Sequence, residues 1–156
     1  MINIDQNVTR GRFKLDCFLS DGTLKWTTGW VLNGTTTAGM AQFALLAGDA
    51  TAVPFTYLAL GTSSTAFASS QTALVAEIVD SGLSRAVATV SRVTTTNTND
   101  TLQLIKTFTA TGAKTIEEIG YFNAASAGTM GGRALTTSKT IANGETIVAT
   151  YQVKFA

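Results

Sequence analysis

General acid–base chemistry near neutral pH draws first on histidine, and this chain has none. A Ser-His-Asp triad is thereby excluded, as are the usual zinc ligand sets. A pair of carboxylates is the next candidate. Glu117 and Glu118 are adjacent, and neighbours on a strand point to opposite faces, so the two cannot flank one bond. Gly128-Thr129-Met130-Gly131-Gly132-Arg133 is rich in glycine but lacks the Gly-Lys-Ser/Thr ending and following helix of a phosphate loop, and reads as a turn or bulge. Asn97-Thr98-Asn99-Asp100 has too few carboxylates for a calcium loop and reads as a hairpin tip. Cys17 is the only cysteine, so no intrachain disulfide forms, and with no base beside it in the sequence it reads as a small buried hydrophobe. Trp26 and Trp30 are four apart in an extended segment, which predicts one shared face. Such a pair serves as core, as an interface anchor or as a platform for sugars. Nothing here implies a reaction, a cofactor, a metal or a small-molecule substrate, and the expectation is a protein that is not an enzyme.

Composition narrows the classes further. The 156 residues carry a net charge of +1, 13% charged residues and 45% hydrophobic ones, which fits one domain with a real core and excludes a disordered chain. Near-neutral charge argues against a surface that neutralises phosphates, so no nucleic-acid partner is expected. No apolar run approaches the length of a membrane span, so no membrane partner is expected either. Met1 to Gln6 lacks a basic start and apolar stretch, so folding in a reducing cytoplasm is expected. Between Lys25 and Arg85 there is no Lys or Arg, only Asp49, Glu77 and Asp80. A surface so poor in charge suits a protein covered by neighbours.

The elements that position these residues follow from periodicity. Residues 12–19 alternate Phe13, Leu15, Cys17 and Leu19 with Arg12, Lys14, Asp16 and Phe18, close to the period of two of a half-buried strand. Ser20-Asp21-Gly22 turns the chain into a return strand over 23–32. Residues 37–47 are apolar nearly all round, with threonine hydroxyls before them and Gly48 after, which predicts a largely buried helix. A buried strand is expected over 55–60, a turn or two of helix over 71–80, and strands over 85–94, 101–109 and 115–122. The last strand places Ile147, Ala149, Tyr151, Val153 and Phe155 on one side after an Asn143-Gly144 turn. The fold class expected is mainly β: an antiparallel sandwich or barrel-like domain over residues 11–156 with one inserted buried helix, preceded by a polar N-terminal arm, residues 1–10.

Several segments in order carry a resemblance. Asn33-Gly34 precedes the helix ending Leu45-Leu46-Ala47-Gly48, followed by Tyr57-Leu58-Ala59-Leu60-Gly61-Thr62, Thr72-Ala73-Leu74-Val75-Ala76-Glu77 and Arg85. Then come Phe108-Thr109-Ala110, Ile116-Glu117-Glu118-Ile119-Gly120-Tyr121-Phe122-Asn123, Met130 with Arg133, and a final strand from Gly144 to Val153-Lys154-Phe155. Over roughly residues 30–156 this order resembles small virion structural proteins of tailed bacteriophages, departing at Ile119, where a smaller residue is expected before Gly120. The resemblance implies a structural role with no catalytic residue to carry over. Joined to the low charge, it leads to the expectation of a capsid decoration or cement protein, a homotrimer bound outside the major capsid protein lattice and assembled in the host cytoplasm. A tail, baseplate or fibre component is the alternative, and a carbohydrate-binding module using Trp26 and Trp30 is a third class. Asn7, Arg10 and Arg12, with Trp26 and Trp30, are the expected protein–protein interface residues.

Overall fold

Alternation of apolar and polar side chains builds the first sheet, and the first and last strands of the described residues meet at its centre. The structure, a computed structural model, describes residues 10–155. Strand β1 (Arg10–Phe18) buries Phe13, Leu15 and Cys17 and lies antiparallel to the last strand, β11 (Thr146–Lys154), which buries Ile147, Ala149, Tyr151 and Val153. On the far side of β11 lies β8 (Thr101–Thr109), followed by β7 (Thr89–Val93) at the edge. The other flank of β1 carries β2 (Leu24–Thr27) and β3 (Val31–Leu32). The second sheet runs β4 (Gly34–Thr35), β10 (Met130–Ile141), β9 (Lys114–Phe122), β5 (Tyr57–Gly61) and β6 (Ala86–Val87). Leu58, Leu60, Ile119 and Tyr121 of this sheet meet Phe13, Leu15, Leu104, Phe108 and Tyr151 of the first in one core. The architecture is an antiparallel, sandwich-like domain with one helix, as the alternation predicts.

The second sheet is covered on its other face too. Ala59, Leu74, Phe122 and Met130 form a smaller core there, beneath the long connection after β5. Residues 71–80, expected as helix, are irregular. Glu118 explains the difference. Its carboxylate accepts from the N–H groups of Ala76, at 2.8 Å, and Val75, at 3.2 Å, satisfying donors that a helix would have claimed. An isolated bridge between Gly61 and Glu77 holds the same segment against β5.

Helix α1 (Thr37–Gly48) is where the sequence places it, but not as deep. Thr36 caps it, accepting from Gly39 N–H at 2.9 Å while its own hydroxyl donates to the Met130 carbonyl. Only Gly39 is buried along the whole helix. Phe43 and Leu46 turn toward the core, whereas Ala41, Ala44, Leu45 and Ala47 face outward, exposed. The expectation of a largely buried helix is therefore corrected. A helix apolar on every side needs cover on every side, and among the described residues this chain provides it on one.

Two expected strands break. The return strand over 23–32 splits into β2 and β3 at Gly29, which has φ 62. The strand over 85–94 divides at Ala88, whose N–H donates to Thr56 O, so that β6 joins the second sheet and β7 the first. The arm expected at residues 1–10 lies outside the described residues except for Arg10, whose backbone opens β1 rather than ending an arm.

Candidate interaction surfaces

The break at Gly29 decides what the two tryptophans do. In β2 Trp26 is paired with Cys17, an inward position, whereas in β3 Leu32 is paired with Arg12, an outward one. The two registers differ by one residue, and one residue reverses the face. Trp26 turns in against the core and donates from its indole N–H to Thr140 O at 2.9 Å. Trp30 stays outside, 45% exposed, with the Arg12 guanidinium 4.2 Å from its ring centre. The predicted shared face is corrected, and no paired tryptophan platform forms.

Arg12 instead begins a row across the outer face of the first sheet. Arg12, Gln152, Gln103 and Ser91 are direct register partners on β1, β11, β8 and β7. Arg12 Nε donates to Gln152 Oε1 at 2.8 Å, and Gln152 Nε2 donates to Gln103 Oε1 at 2.7 Å. Gln103 Nε2 reaches Ser91 Oγ at 3.4 Å. Each side chain fixes the next, so the guanidinium is held between an aromatic ring and an amide. Lys14, by contrast, is engaged by Asp16 at 2.8 Å. A cavity of about 500 Å3 opens beside the row, lined by Arg12, Thr94, Thr95, Thr101, Gln152 and Lys154. It presents the Arg12 and Lys154 cations, whereas the Thr95 and Thr101 hydroxyls both donate to the Asp100 carboxylate at 2.9 Å. Asn7 lies outside the described residues and Arg10 is described by its backbone alone, so of the expected interface residues Arg12 and Trp30 are brought together, while Trp26, half-buried, packs against the core.

A second surface is apolar. A groove of about 370 Å3 runs between α1 and β7, lined by Phe43, Leu46, Phe55, Val90, Leu102 and Phe155. Phe43 packs edge-on against Phe155, with ring centres 5.2 Å apart. Beside it the outward side of α1 leaves Leu45 47% exposed, and Val53 in the following turn 55%.

The reactive groups are structural in their settings. Burial, and then the nearby Glu145 carboxylate, push the Cys17 thiol up to about 11, so it stays protonated at neutral pH and is a poor nucleophile. Hydrogen bonds from Lys25 Nζ at 2.8 and 2.9 Å, and from Ala142 N–H, hold the Glu145 carboxyl below its ordinary range. Glu118 and Arg133 form an ion pair with both side chains fully buried, and Arg133 Nη1 also donates to Thr65 O at 2.8 Å. Glu117, the neighbour of Glu118, reaches Ser138 instead, as the opposite facing of adjacent strand residues predicts. Arg85 holds Glu77 through two bonds, of 2.8 and 2.6 Å, and lies 3.5 Å from the Phe122 ring centre. Among the described residues no group of His, Cys, Asp and Glu could hold a metal ion, and no helix is long and apolar enough to cross a membrane.

No family model, curated protein or solved structure matches the chain.

Proposed function

We propose that the chain is a non-enzymatic structural protein of a tailed-phage virion, a decoration or cement subunit on the outside of the capsid. The observation that carries this reading is α1: a helix without a charged side chain, apolar on the side that its own domain leaves open. Burying such a face on a neighbour releases water at roughly 25 cal/mol per Å2 and desolvates no charge. The row from Trp30 to Ser91 supports the same reading, because a preorganised guanidinium selects orientation by meeting a carboxylate of the capsid protein. Repetition over the lattice then turns modest contacts into resistance against the pressure of packaged DNA. In this reading residues 1–9 serve as an arm, Arg10 belonging to β1, and copies associate with one another as well as with the major capsid protein.

Quantitative mass spectrometry of purified virions tests the placement. A copy number that scales with the major capsid protein is expected. A copy number that is a small fraction of it moves the protein to the tail, baseplate or fibres. Mixing the purified chain with undecorated heads provides the second arm: binding is expected from the intact chain and is lost in Leu45→Lys.

A further inference from the structure

We infer that the groove between α1 and β7 receives residues 2–8 of a second copy of this chain, added as a strand along the free edge of β7. This deepens the self-association in the reading above and rests on it only for the claim that copies meet. Strand β7 is the edge of the first sheet, and every residue from Thr89 to Arg92 is exposed. Half of its backbone donors and acceptors thus lack a partner strand among the described residues, a template for strand addition. The register places Val90 opposite Leu104 and Arg92 opposite Leu102, so both side chains lie on the inner side of the sheet. A strand added beyond β7 therefore drops its inward side chains over the apolar groove, against Phe43, Phe55 and Phe155.

Residues 2–8 have the matching pattern. Ile2, Ile4, Gln6 and Val8 alternate with Asn3, Asp5 and Asn7, so one face of an extended segment is aliphatic with a single amide. Laid parallel to β7 with Ile4 beside Val90, the segment brings Gln6 beside Arg92, whose side chain has no hydrogen bond or ion pair among the described residues. The guanidinium then donates to the Gln6 amide oxygen, and Asp5 stays on the wet face.

Reach decides between copies. Arg10, Lys154, Thr101 and Val93 form one row across β1, β11, β8 and β7, so a strand outside β7 lies four strand spacings from Arg10, roughly 19 Å. Val8 is two residues from Arg10 and reaches at most about 7 Å. A chain's own Val8 cannot pair with its own β7. A neighbour's arm, arriving past Val93 from a body beyond that end of the sheet, meets no such limit.

The test needs the chain alone. Sedimentation equilibrium of the intact protein is expected to show self-association. Deleting residues 2–9 weakens it at least about a hundredfold, the loss expected when Ile2, Ile4 and Val8 are removed, and changing Val90 to Lys in the groove weakens it at least about tenfold, the loss of one apolar contact. The two variants are then mixed. One has an arm and a blocked groove, the other a groove and no arm, and a one-to-one heterodimer of the mixture is expected where each alone is monomeric. That heterodimer also proves both variants folded. A monomeric intact chain, undiminished association of the deletion variant, or a mixture that stays monomeric overturns the inference. Capsids are absent throughout, so failure here is distinct from failure to bind heads.

Discussion

Two residues at the centre of the second sheet set the sharpest energetic stakes. Glu118 and Arg133 have no exposed surface, and a charge left alone in such a place costs more than the pair ever contributes. Glu118→Gln keeps an acceptor for the Ala76 N–H but strands the Arg133 guanidinium, one of whose terminal nitrogens already lacks a partner. Urea unfolding of that variant is expected to show a loss of about 3–5 kcal/mol. A loss below about 1 kcal/mol would mean that water reaches Arg133, contrary to its burial. Cys17 gives a second test, and its sign is set by burial. Its thiol ionises near 9 in an unfolded chain and about 11 in the native one. Below pH 9 both states hold the proton and the full contribution is present. Between about pH 9 and 11 the unfolded state loses the proton first, so stability falls as pH rises, with a slope approaching about 1.4 kcal/mol per unit. The hydroxyls of Tyr121 and Tyr151 are held well above their ordinary range by burial and add the same sign in more alkaline solution. Cys17→Ala is expected to flatten the first part of that decline in urea midpoints measured across this range. Equal declines in both proteins would remove Cys17 as its source.

At the scale of elements, helix α1 sets intrinsic preference against packing. Alanine is favoured over glycine inside a helix by about 1 kcal/mol, which by itself predicts that Gly39→Ala stabilises. Yet a Cβ on Gly39 would lie 2.1 Å from the Gly131 carbonyl oxygen, which belongs to the backbone of β10 and cannot swing aside. Gly39→Ala is therefore expected to destabilise by about 1–3 kcal/mol in thermal unfolding, and a raised midpoint would show that the helix can lift off β10. Leu45→Lys, on the open side, is expected to leave stability within about 0.5 kcal/mol. What was legible in the sequence followed the same division between local and distant causes. Strands β1 and β11 were legible because apolar side chains recur at every second residue, and β8 because Leu102, Leu104 and Phe108 share that spacing with one interruption at Lys106; such a pattern is local. The helix boundaries were legible from the threonine cap and Gly48, but not the helix's exposure, because cover comes from elements remote in sequence. The irregular path of 71–80 depends on Glu118, some forty residues onward. The opposed faces of Trp26 and Trp30 turn on one added residue near Gly29, which alternation read over ten residues does not register. Gln152, Gln103 and Ser91 carried no signal of their own: they form a row with Arg12 only through the register of four strands distant in the chain.

For the molecule as a whole, low charge is the property that any assembly must work with. A net charge of +1 and a helix with no charged side chain leave little long-range field to steer a partner, and little to be screened by salt. Arg12 and the nearby Lys154, which line one cavity, are a local exception, and in the proposed attachment their part would be orientation. The two surfaces therefore make different demands on the solvent. If α1 carries the attachment, affinity for undecorated heads is expected to change less than about threefold between low and high salt, because apolar burial is not screened. The same attachment is expected to show a negative heat-capacity change in calorimetry, the mark of apolar surface leaving water. If the row at Arg12 carried it, affinity would fall steeply with salt and Arg12→Ala would remove that dependence. Titrations of heads with the intact chain, Leu45→Lys and Arg12→Ala across a salt series separate the two. The expected outcome is that Leu45→Lys loses binding at every salt concentration, while Arg12→Ala lowers the rate of attachment at low salt and barely alters the final affinity. A steep salt dependence that survives in Leu45→Lys would move the attachment from the helix to the outer face of the first sheet.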